Sequence, residues 1–216
     1  MSLTSNAGHN GPRTYAPYRQ IRAHYDDETI TVYQAYSSSI ATAAIEAQRL
    51  DASPSFKLAR MTWIKPSWTW MLYRAGYSYK DPGQERILAL KMPREYFIGL
   101  LRKGRLSHAA VAQDGEKVRI QWDPERTVRL DKLPYRSIQI GIYVGICKTW
   151  VKEGIVGIED VTGRARELKR VLDENPTISD RELAKLGLMP SEEEFVVPGD
   201  VQGILEMTPA QGSQRL

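Results

Sequence analysis

The stretch that most constrains this fold runs from Arg60 to Tyr79. It holds Trp63, Trp68 and Trp70, three of the chain's five tryptophans, with Tyr73, Tyr77 and Tyr79 close behind. Arg60, Lys65, Arg74 and Lys80 are set among or beside these rings. Local chemistry divides the stretch in two. Leu58 to Ile64 reads as a strand. Pro66 suits a first helical turn and Ser67 a cap, and Gly76 suits the closure of a helix ending near Ala75. On that helix Trp68, Leu72 and Ala75 share one side, while Trp70, Tyr73, Arg74 and Tyr77 share another. Rings interleaved with cations can stack on bases and hold phosphates. The same residues also make a core whose cationic side chains reach out to its rim. Both readings stay open on this stretch alone.

The flanking segments mix strands and helices without strict alternation. Tyr18 to Tyr25 reads as a strand, with Arg22 and His24 on one face. Asp26 and Asp27 supply a turn, and Thr29 to Tyr33 is a β-branched second strand. Ser37, Ser38 and Ser39 stand where a helix cap belongs, ahead of a helix-forming run from Ile40 to Leu50. Such a junction turns free backbone N–H groups and a positive dipole end outward, which suits a phosphate but also describes any capped helix. Gln84 to Lys91 reads as a strand and Pro93 to Leu101 as a proline-started helix. Val118 to Trp122 and Arg136 to Tyr143 read as strands, with a turn from Asp123 to Arg126 between them. Helices are expected over Cys147 to Val156 and Gly163 to Asp173. Ser179 and Glu182 form a capping box, and Glu192 to Glu194 reads as a solvated first helical turn. The fold class is therefore α+β, a mixed, largely antiparallel sheet core with flanking helices. One domain is expected over residues 15–207, between disordered tails at 1–14 and 208–216.

Composition narrows the chemistry. The 216 residues are enough for one substantial core, and 42% hydrophobic with 26% charged residues are globular values. The net charge of +4 favours an anionic ligand only weakly. Cys147 is the single cysteine, which excludes an intramolecular disulfide and a multi-cysteine metal site. With only His9, His24 and His108, no metal is expected. The N-terminus lacks the features of a signal peptide, and no apolar run reaches the ~20 residues of a membrane helix. A cytoplasmic chain with no membrane partner is expected. No phosphate loop, dinucleotide-binding glycine pattern, zinc motif or nucleophile elbow is present.

Five strings carry a resemblance: Tyr18 to Tyr25, Val32 to Tyr36, Arg60 to Ser67, Gln121 to Arg126 and Arg136 to Gly141. They resemble the domain-of-unknown-function 4291 family over residues 18–173, with Trp68 and Tyr77 departing from its usual aromatics. That resemblance implies no particular activity.

A partial resemblance, over residues 18–101, is to the ADP-ribosyltransferase fold. It rests on Arg22 and His24 in a first strand and on the Tyr33 to Ser39 junction. Its third part is Glu85, which opens Glu-Arg-Ile-Leu-Ala-Leu ahead of Pro93. The resemblance implies NAD as substrate, Glu85 as the catalytic carboxylate, and Tyr33 or Tyr36 as the stacking ring. Arg22 or His24 would contact ribose or phosphate, with Ser37, Arg60, Trp63 and Lys65 completing the nucleotide site. The chemistry is coherent, because cleaving the nicotinamide–ribose bond builds positive charge that a carboxylate stabilises. Each residue also has an ordinary role available, as an edge charge, strand packing or a surface turn.

Two other classes compete. One is an RNA or single-strand binder using Arg60, Trp63, Lys65, Trp70, Tyr73 and Arg74. The other is a protein-interaction domain docking through exposed aromatics.

Overall fold

The computed structural model describes residues 17–107 and 118–207. The tails expected at 1–14 and 208–216, together with His9 and His108, lie outside the described residues. The chain builds β1 (Arg22–Ala23), β2 (Thr29–Tyr36), α1 (Ser38–Ala47), β3 (Thr62–Ile64), α2 (Trp68–Ala75), β4 (Arg86–Pro93), α3 (Arg94–Arg102) and β5 (Gly104–Leu106). There follow β6 (Val118–Arg126), β7 (Lys132–Ile142), α4 (Val144–Glu153), β8 (Gly157–Asp160), α5 (Thr162–Glu174), α6 (Asp180–Lys185), β9 (Glu193–Glu194) and α7 (Gly199–Ile204). The α+β class holds.

Two sheets carry the molecule. One has the order β2-β4-β8 and is antiparallel throughout. The other has the order β3-β7-β6-β5, antiparallel except for the β5–β6 pair. They meet where Tyr33 and Lys65 exchange backbone hydrogen bonds, at 2.7 and 3.3 Å. Gln34 reinforces this seam by donating to Thr62 Oγ1 at 2.7 Å and to the Trp63 carbonyl at 2.9 Å. A third, two-stranded pairing ties β1 to β9 near the C-terminal end of the described chain.

The four-stranded sheet alternates sharply. Ile64, Val118, Ile120, Ile138, Ile140 and Ile142 face the larger core, which also takes in α3, α4 and α7. The opposite face carries Trp63, Gln121, Asp123, Glu125, Ser137 and Gln139, as the period of two requires. A second core packs Trp68, Leu72 and Ala75 of α2 against α5, α6 and Tyr33.

The strand–proline–helix reading of residues 60–79 is realised. The Ser67 side chain accepts from Trp70 N at 3.1 Å, and Gly76 closes α2 at φ 54°. Three other expectations are corrected. Asp123 to Arg126 is not a turn; β6 runs through it, with a register shift at Pro124 to Arg126 that accommodates the proline. Glu192 to Glu194 is not a helical turn, because Glu193 and Glu194 pair with Ala23 and Arg22 as β9. The long first strand is reduced to β1, with isolated bridges at Arg19 and Tyr25. The strand β8 was not anticipated; the preceding helix stops at Gly154, where a side chain would lie 2.6 Å from Tyr96 and 2.9 Å from the Trp150 carbonyl.

Candidate functional site

A cavity of about 670 Å³ opens along the seam between the two sheets. Its walls follow from the alternation of three strands. Trp63 and Lys65 point to the polar face of the four-stranded sheet, where Gln121 and Gln139 sit directly opposite one another. Gly141 lies opposite Trp63 and gives the ring room, because a Cβ there would fall 3.2 Å from the indole, a tight contact. From the second sheet come Gln34, Tyr36 and Ser37, at the point where β2 passes into α1. The loop before β3 contributes Phe56, Lys57 and Arg60, and α2 contributes Arg74.

The lining is cationic. Lys57, Arg60, Lys65 and Arg74 face one lining carboxylate, Asp81. Asp123, on the same sheet face but outside the lining, is gripped by the amides of Gln121 (2.9 Å) and Gln139. Arg74 donates to Gln84 Oε1 at 2.9 Å, which holds its guanidinium at the rim. Tyr36 donates to Gln34 Oε1 at 2.7 Å, and burial pushes its phenol well above the usual range, so it stays protonated. Lys65 is 5% exposed. Its amine lies 4.9 Å from the centre of the Trp70 ring. Burial, reinforced by the Arg74 charge and opposed by Asp123, brings its pKa down to about 7.

Five of the expected site residues share this cavity: Tyr36, Ser37, Arg60, Trp63 and Lys65. Glu85 is not among the residues lining it, although its chain neighbour Gln84 is. Its Oε1 accepts from Ser38 N at 2.8 Å, and this bond is the first cause holding its carboxyl below the usual range. Ser37 makes no side-chain cap bond, so Glu85 serves the first turn of α1 that was expected to face a phosphate. Tyr33 is buried against Trp68, with ring centres 5.2 Å apart, and belongs to the second core. Arg22 and His24 lie elsewhere. Arg22 donates to the Glu192 carbonyl at 2.7 Å, and His24 Nδ1 is 3.0 Å from the Ser191 carbonyl. Of the aromatic residues considered for single-strand stacking, Trp70 is buried, and one face of Tyr73 is covered by the Arg126 guanidinium at 3.6 Å.

A second polar cluster lies where the same sheet face reaches the start of α2. Glu125 Oε1 accepts from Arg126 N at 2.8 Å and Ser67 Oγ at 3.0 Å, with Thr69 Oγ1 at 3.3 Å, yet burial raises its pKa. Glu192 accepts from Trp68 N at 2.6 Å. Burial of that carboxyl, with Glu125 nearby, pushes it up to about 8.

The residues that reading along the chain missed are Gln34, Gln121 and Gln139. The available signal was a glutamine between apolar neighbours, as in Tyr-Gln-Ala, Ile-Gln-Trp and Ile-Gln-Ile, which places an amide on the polar face of a half-buried strand. Among the described residues, no group of three or more His, Cys, Asp or Glu side chains could hold a metal ion. Among the same residues, no helix is long and apolar enough to cross a membrane. No curated protein matches the chain. A family model described as Domain of unknown function (DUF4291) matches residues 20–195.

Proposed function

The chain belongs to the DUF4291 family, and we propose that within this fold the seam cavity binds a nucleotide, NAD being the candidate substrate. One observation carries the reading. The cavity brings Lys57, Arg60 and Arg74, with the buried Lys65, together with Trp63, Tyr36 and Phe56 in a volume fit for one nucleotide. Arg60 and Arg74 would hold phosphates, and an aromatic wall would take a base. The polar floor of Gln121 and Gln139 offers amides to ribose hydroxyls or to the edge of a base.

The enzymatic form of this proposal uses Glu85. Breaking the nicotinamide–ribose bond sends the bonding electrons out with nicotinamide and leaves positive charge on the sugar. Water, or an acceptor hydroxyl, then forms the new C–O bond and releases its proton to solvent. An ionised carboxylate reaching the bound sugar would stabilise its positive charge, and hydrogen bonds from Ser38 keep Glu85 ionised.

The test is a thermal-shift series with AMP, ADP-ribose and NAD, paired with an assay of nicotinamide release. ADP-ribose and NAD are expected to raise the melting temperature, since a ligand of the native state stabilises it. Glu85→Gln is expected to keep the ADP-ribose shift and lose nicotinamide release. No shift with any nucleotide overturns the binding reading; release unchanged in Glu85→Gln overturns the catalytic one.

A further inference from the structure

Lys65 stands apart from the other cations of the cavity. Its backbone is fixed on both sides by the exchange with Tyr33, and Pro66 follows it. Its side chain is buried, yet among the described residues its amine has no hydrogen-bond or ion-pair partner. The Trp70 ring centre lies 4.9 Å from it, Arg74 acts on it as a like charge and Asp123 as the opposing one. A lysine retained for structure is normally paired when buried, because an unpaired ammonium in a low-dielectric site is costly. A lysine retained to hold phosphate gains nothing from this setting, which favours the neutral amine. Arg60 and Arg74 already supply permanent charge at the same cavity.

We infer that Lys65 is a carbonyl-reactive amine, forming an imine with an aldehyde that also carries a phosphate. The neutral nitrogen attacks the carbonyl carbon and the carbonyl π electrons move to oxygen. The resulting carbinolamine then loses water to give the C=N bond. One amine and one carbonyl yield one imine and one water, with no oxidation or reduction. The amine protons that leave nitrogen, and those that oxygen takes up, exchange with solvent at the open mouth. Arg60 and Arg74 place the phosphate, and the burial of the Lys65 side chain with the Arg74 like charge favours the neutral, nucleophilic amine. This inference rests on the cavity taking a ligand, not on that ligand being NAD.

Pyridoxal 5′-phosphate serves as the probe, because it joins an aldehyde to a phosphate and its imine absorbs visibly. The full chain is mixed with it near neutral pH, reduced with borohydride, and mapped after trypsin. The bond before Pro66 resists cleavage, so Lys65 reports on the peptide from Met61 to Arg74. That peptide is expected to be labelled about tenfold or more faster than the one bearing exposed Lys80, because burial and the Arg74 charge bring the Lys65 pKa down to about 7. Pyridoxal without phosphate is expected to label it more slowly. Lys65→Arg and Lys65→Met, each checked for an unchanged circular-dichroism spectrum, are expected to abolish the saturable absorbance.

Label spread over exposed lysines, with Lys65 unmodified, overturns the inference. So does saturable absorbance that survives in both variants. ADP-ribose separates the two proposals. If it raises the melting temperature while Lys65 resists labelling, the imine falls and the nucleotide reading stands. If Lys65 is labelled and no nucleotide protects it, the reverse holds.

Discussion

Glu192 shows how a single side chain changes meaning with its surroundings. In the sequence it heads a run of three glutamates, which reads as a solvated turn. In the fold its carboxyl meets Trp68 N, 124 residues away, at the start of α2. No local pattern could reveal that partner. Because its folded pKa of about 8 lies above the ordinary 4.5, the native state holds the extra proton between these values. Stability therefore falls as pH rises through that window. Glu192→Gln keeps an oxygen for Trp68 N without the charge. It is expected to gain little at pH 5 and about 1–3 kcal/mol at pH 8. Urea midpoints at the two pH values check this, and an equal gain at both would contradict it. The candidate site follows the same rule. Arg60, Trp63 and Lys65 were legible because they crowd one short stretch, as were Tyr36 and Ser37 at a strand–helix junction. Gln34, Gln121 and Gln139 come from three separate strands, and a strand glutamine alone marks a polar face without saying what shares it.

Elements were legible where local chemistry and tertiary packing agree. The unit from Thr62 to Gly76 has a β-branched and aromatic strand, a proline, a serine cap and a closing glycine, and each takes its expected place. Local and tertiary preferences disagree at Asp123-Pro124-Glu125. Those residues favour a turn, but pairing with β7 on both sides of the register shift carries the strand through. Glu125 is thereby delivered to the foot of α2, where Ser67 caps the helix and donates to the carboxylate. Ser67→Ala removes both bonds at a fully buried position. A cap alone contributes about 1 kcal/mol, and the loss of one of the donors to the buried Glu125 carboxyl adds to it. Destabilisation of about 2 kcal/mol is expected by chemical denaturation. A change below about 0.5 kcal/mol, within the range of a neutral surface substitution, would show that the cap carries little.

For the molecule as a whole, the decisive feature is the seam. Two sheets bury their apolar faces in adjoining cores and touch through Tyr33 and Lys65. This leaves the polar face of one sheet to form the cavity floor and the end of β2 to form its wall. The α+β class was legible from the mixture of strands and helices. The seam was not, because it depends on a pairing between residues 33 and 65 that no turn or repeat specifies. Arg60 and Arg74 approach this cavity from either side of that pairing, one from a loop and one from α2. The most direct test is titration calorimetry of ADP-ribose against the wild-type chain and the Arg60→Ala/Arg74→Ala double variant. Saturable binding is expected in the wild type, weakening as salt rises, and at least about tenfold weaker in the double variant, since a hydrogen bond to a charged group contributes about 1.5–3 kcal/mol. An affinity unchanged by removing both arginines, or no binding by the wild type, would contradict the assignment of the seam cavity as a nucleotide site.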